Sequence, residues 1–145
     1  MSKSNTWEND LLLLVFNNTT ASLIGDATGI VGSSTAGNLY VSLHTADPGE
    51  AGTQTTNECA YTSYARVSVA RSGAAWVVTN NEVVPAASIT FPTATGGSET
   101  ATYFGVGTAT AGAGKLLYSG TVSPNIAISN GITPVLNTST KITED

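Results

Sequence analysis

The sequence predicts a mainly β fold, an antiparallel β-sandwich or barrel-like domain with a short N-terminal helix. Three observations point that way. Short runs rich in Val, Ile, Leu and Thr recur at intervals of roughly 10–15 residues, a spacing that suits strands better than alternating β and α units. Gly, Pro and Asn separate those runs. Charged residues make up 10% of the chain, against roughly 25% in an ordinary soluble domain. Thr, Ser, Asn, Ala and Gly take their place, and these are residues of pleated surfaces and tight turns.

The elements follow in chain order. Asn5 and Glu8 have the spacing of a capping box, and the apolar run 11–16 follows. Trp7, Leu11 and Leu14 then share one helical face, which Leu12, Val15 and Phe16 widen. Asn17 and Asn18 end the helix. It is too short to be stable alone and must dock its Leu-rich face on a sheet or a neighbour. Residues 21–38, rich in Gly, Ser and Thr, read as an irregular arm with Leu23, Ile24, Ile30 and Val31 as its apolar anchors. The expected organisation is thus a helix and arm over 1–38 and a β-sandwich over 39–145.

Leu39, Val41 and Leu43 alternate with Tyr40, Ser42 and His44 in a strand that predicts one buried and one outward side. Asp47-Pro48-Gly49-Glu50 stops it, because Pro48 disfavours helix at Asp47 and Pro-Gly favours a turn. A long polar loop over 46–63 is expected to project from the scaffold. Further strands are expected at 65–70, 75–79, 86–91, 101–107, 115–121 and 125–129. Asn130-Gly131 is a hairpin signal, so 132–136 is expected to pair back on the strand before it, with a last short strand within 138–143. Pro85, Pro92, Pro124 and Pro134 belong at strand ends or sheet edges.

Composition excludes several classes of function. The net charge is −5, and the five basic residues, Lys3, Arg66, Arg71, Lys115 and Lys141, are scattered. No basic stripe can follow a phosphate backbone, so nucleic acid is not an expected partner. The apolar run 11–16 is too short to span a bilayer, and it follows acidic rather than basic residues, so neither a membrane span nor a targeting segment is expected. Cys59 is the only cysteine and His44 the only histidine. No intrachain disulfide can form, and no metal site or cofactor is expected.

Each candidate for chemistry fails on spacing. His44 and Asp47 lack a nucleophile elbow to complete a triad. Gly112-Ala113-Gly114-Lys115 has Ala109 and Leu116 where a phosphate-binding loop needs Gly and Ser or Thr. Asp47, Glu50 and Glu58 lack an aromatic cluster to hold a sugar, and their spacing is not that of a calcium loop. No catalytic residue is assigned. Low surface charge instead suits a chain covered by neighbours. The candidate interface residues are Trp7, Leu11 and Leu14 on the helix, and Asp47, Pro48, Glu50, Gln54 and Asn57 on the loop.

These stretches together, Leu39–Gly52, Tyr64–Val67, Ile89–Pro92, Phe104–Ala109 and Gly114–Gly120 with the helix around Glu8–Leu14, resemble small virion structural proteins of tailed bacteriophages, of the tail-fibre-like and capsid-decoration kind. The resemblance passes over residues 18–38. It implies a non-enzymatic virion component, assembled in the bacterial cytoplasm, with other virion proteins (major capsid or tail proteins) and copies of itself as partners. Capsid decoration, in which the chain cements the head, is the expected role; a tail-fibre or tail-tip module that takes part in host attachment is the alternative.

Overall fold

The structure, a computed structural model, describes residues 2–145. The elements in chain order are α1 (Asn5–Asn17), β1 (Asn38–His44), β2 (Val67–Ala70), β3 (Trp76–Thr79), β4 (Glu82–Pro85), β5 (Ile89–Thr90), β6 (Ser98–Gly107), β7 (Leu116–Ser129), β8 (Val135–Leu136) and β9 (Ile142–Thr143). The fold is mainly β, the pairs β1–β6, β3–β4, β4–β9, β5–β8 and β6–β7 are antiparallel, and one short helix lies near the N-terminus. The sheets are open, in the orders β2-β1-β6-β7, β3-β4-β9 and β5-β8, and no barrel closes among the described residues. The chain forms two compact units. The first comprises Met1–Asn38, Ala70–Ala87 and Asn137–Asp145; the second comprises Leu39–Val69 and Ser88–Leu136.

In the first unit α1 packs on β3 and β4. Ser4, not Asn5, is the N-cap, and its side-chain oxygen accepts the Trp7 N–H. The residues buried on the helix are Glu8, Leu12 and Phe16, one stripe at four-residue spacing. Trp7, Leu11 and Leu14, expected to form the docking face, are only half-buried. Phe16 meets Trp76 edge to face with ring centroids 4.9 Å apart, and Val83 and Ile142 are buried with them. The last turn of α1 has no basic residue of its own. Arg71 supplies one, donating from Nε to the Val15 carbonyl at 2.6 Å and from Nη2 to that of Leu14 at 2.6 Å. A cation here answers both the orphan carbonyls and the negative end of the helix. β4 was not expected. It pairs with β3 through the two-residue turn Asn80-Asn81, in which Asn80 takes a left-handed φ of 55°, a conformation Asn tolerates better than most residues.

In the second unit β1 pairs with β6 from Tyr40↔Gly107 to His44↔Tyr103. The two runs expected at 115–121 and 125–129 form the single strand β7. Residues 122–125 bulge out of its ladder opposite Thr102, where Pro124 sits on an end strand of the sheet. The Asn130-Gly131 turn forms, with Ile132 N–H donating to Ser129 O at 2.9 Å. The chain leaving it does not pair back on β7 as the hairpin signal predicts. It pairs with 89–94 instead, through β5–β8 and the Phe91–Pro134 and Ala94–Ile132 backbone bonds. Phe91, Ile89 and Leu136 are buried there, so burial of these side chains chooses the partner over the shorter loop.

Candidate functional site

The alternation in β1 predicts Ser42 and His44 on an outward side. Both are 0% exposed. The loop over 46–63 covers them instead of projecting. It is pinched at its base, where Thr45 N–H donates to Asn57 O at 2.8 Å and Cys59 N–H to Leu43 O at 2.8 Å. Gln54 is its internal pin, also 0% exposed. Its Nε2 donates to Tyr40 O at 3.2 Å, its Oε1 accepts the Ala109 N–H at 2.9 Å, and its own N–H reaches Ala113 O at 2.8 Å. Gly107 lies under that side chain and has no room for a Cβ.

A charged clamp holds the loop from the other end. Arg66 Nε lies 2.6 Å from Glu58 Oε1 and Nη2 lies 2.7 Å from Oε2, a two-pronged pair. The same guanidinium donates to Ala109 O at 2.8 Å and Gly112 O at 2.7 Å. Hydrogen bonding to Glu58 raises the Arg66 pKa further. Tyr64 Oη donates to Glu58 at 2.9 Å and accepts the Leu43 N–H at 3.1 Å; burial pushes its pKa up. Glu99 caps the next stretch, accepting the N–H groups of Ala60 at 2.9 Å and Tyr61 at 2.8 Å.

Two of these groups have the appearance of chemistry. Ser42 Oγ is 2.8 Å from His44 Nε2, within nucleophile–base distance. The other ring nitrogen faces a backbone carbonyl, Thr56 O at 2.8 Å, rather than a carboxylate. Both side chains are sealed from solvent, so substrate cannot reach the pair. Burial lowers the His44 pKa, which keeps the ring neutral between its two partners. Cys59 is 2% exposed, and burial, with Glu99 beside it, pushes its thiol up to about 12. A thiol so rarely ionised is a poor nucleophile. Among the described residues no group of three or more His, Cys, Asp or Glu is placed to hold a metal ion. No helix there is long and apolar enough to cross a membrane.

What remains is surface. Asp47, Glu50 and Asn57 are exposed; Pro48 and Gln54 are buried inside their own unit, so Gln54 offers no surface to a partner. Asp47 and Asn57 come together, Asn57 Nδ2 donating to Asp47 O at 2.9 Å. Trp7, Leu11 and Leu14 belong to the other unit. There, a second surface was visible in the sequence only as four apolar anchors. Leu23 is 81% exposed, Val31 60%, Ile30 42% and Ile24 40%. Their loop is tied. Ala21 and Ile30 exchange backbone bonds at 3.0 and 2.8 Å, and Asp26 Oδ1 caps the N–H groups of Thr28 and Gly29. At the base, Asn18 exchanges two bonds of 2.8 Å with the Ser33 backbone. Leu23 sits in the left-handed region at φ 63°, an unfavourable conformation for a branched residue.

Comparison with known proteins agrees with a surface-led reading. A family model described as Podophage GP4 fiber I protein gp80 matches residues 2–142. The chain belongs to this family, and it is accordingly a phage virion structural protein of the fibre-like kind. No curated protein matches it.

Proposed function

We propose that the protein is a non-enzymatic capsid-decoration subunit that cements the phage head by contacts with the major capsid protein and with copies of itself. The observation that carries this reading is the tied loop 21–31. A constrained backbone presents Leu23, Ile24, Ile30 and Val31 to solvent, and in a protein without accessible chemistry such a patch marks an interaction surface. Trp7, Leu11 and Leu14, half-buried on the same unit, are further candidate contacts of that unit, and exposed Asp47, Glu50 and Asn57 are candidate contacts of the other. Cement acts by mass action, binding the assembled shell and so stabilising that state. Several contacts of ordinary size suffice.

The word fiber in the family's description supports a second reading, a fibre or tail-tip module that takes part in host attachment. Copy number per virion separates the two. Quantitative mass spectrometry of purified particles is expected to give a number that scales with the capsomers; a handful of copies per particle would move the protein to the tail. Truncating residues 1–16 is a poor test of either, because Leu12 and Phe16 are core residues of the first unit. Substituting Leu23 and Val31 together by Asn and Thr tests the patch without touching that core. Particle binding is expected to fall, and unchanged binding would remove the loop from the interface.

A further inference from the structure

A groove of about 300 Å³ lies within the second unit, between the turn at 47–52 and the start of β7. Asp47, Glu50 and two glycines line one side; Leu116, Leu117 and their neighbours to Ser119 line the other. The turn is a built wall. Gly49 N–H donates to Asp47 Oδ1 at 2.9 Å, Gly52 N–H donates to Gly49 O at 3.1 Å, and Pro48 is buried beneath. Gly49 has a φ of 67°, the left-handed conformation that glycine supplies at a tight turn. β7 is an end strand of its sheet and carries no charged residue from Leu116 to Ser129. Lys115 precedes the strand and is not among the lining residues. The groove therefore combines an acidic rim with an uncharged, partly apolar wall.

We propose that this groove takes an extended, cationic segment of another virion protein, with a Lys or Arg between the Asp47 and Glu50 carboxylates and apolar neighbours against Leu116 and Leu117. Charge selects the occupant. A segment bearing Asp or Glu is repelled by the rim, and two copies of this chain meeting here would oppose their acidic rims. An extended segment suits the groove because its side chains alternate, so one set meets the acidic rim and the other the apolar wall. The inference rests on the reading that the protein works by contact within the particle.

Two measurements on the full-length protein test it. The first titrates a short peptide of alternating lysine and valine, and its glutamate counterpart, against amide chemical shifts. The lysine peptide is expected to move resonances of residues 47–52 and 116–119 and the glutamate peptide to leave them, with Glu50→Lys removing the response. Equal responses to both peptides, no response, or shifts elsewhere would overturn the groove. The second measures binding to phage particles assembled without the protein. Glu50→Lys is expected to weaken binding by about tenfold or more, with wild-type affinity falling as salt rises, while Glu82→Lys, the same charge change on β4, binds as wild type. Wild-type affinity in Glu50→Lys, or equal loss in Glu82→Lys, sinks the proposal. If the wild-type protein ignores the particles, the proposed function fails and the peptide titration alone decides the groove.

Discussion

In the unit that holds both chain ends, the largest buried side chains are Trp76, Phe16 and Leu12. In the unit built on β1, β6 and β7, His44 and Gln54 are buried as completely as Leu43 and Val41, and Arg66 is close behind. The first is held mainly by apolar contact, with Arg71 tying the end of α1. The second is a polar lid bonded over an apolar sheet. The two units also present different features to solvent: the second exposes Asp47 and Glu50 at the turn beside its groove, and the first turns Leu23 and Val31 outward on a tied loop.

The comparison can be broken most directly at its two anchors. Trp76→Ala is expected to cost about 3–5 kcal/mol through lost contact and a cavity, read by urea unfolding. Arg66→Met is expected to cost about as much, because it leaves Glu58 facing Tyr64 without its cation. The two losses differ in kind. Adding Glu58→Gln to Arg66→Met should recover a large part of the loss, and no recovery would mean that the clamp works by packing alone. A smaller effect is expected at Gly107, where Ala meets the Gln54 side chain; overpacking of this sort costs about 1–3 kcal/mol. A Gly107→Ala protein as stable as wild type would show that Gln54 is a loose lid.

Acid should act on the second unit through His44. Its folded pKa lies below the ordinary value of 6.5, so folding favours the neutral ring. The stabilisation is whole above pH 6.5 and declines as pH falls from there toward the folded pKa, by up to about 1.4 kcal/mol per pH unit. Urea midpoints between pH 5 and 8 should show this slope, and His44→Gln should flatten it. The smallest effect on stability is expected from Leu23→Asn. Asn accepts the left-handed backbone, so stability should stay within about 0.5 kcal/mol. A large loss of stability would show that Leu23 is structural and not presented.

Several elements were legible before any coordinates. The short helix, the strand from residue 39 and the antiparallel β character follow from local pattern, and the phage structural family from resemblance; the cap falls one residue earlier than expected, at Ser4. Some errors are instructive. The Asn130-Gly131 turn was right and its partner strand wrong, because a turn residue dictates only its own backbone, whereas burial of Ile89 and Leu136 decides what pairs next. The Asn80-Asn81 hairpin was missed because the left-handed residue is Asn where Gly is the stronger signal. Of the candidate interface residues, Gln54 is the clearest loss, since polarity alone could not show that a glutamine would be buried.

Taken alone, the amino-acid order determined most of the stretches that extend and the turns between them, since each depends on residues near one another in the chain. Tertiary structure decided which polar groups are inside. Gln54 meets Ala109 from 55 residues away, Tyr61 meets Glu99 from 38, and Arg71 reaches the end of α1 from 56. Periodicity carries no information about such partners, because a buried polar group is costly unless a partner completes it, and that partner is chosen by the folded chain.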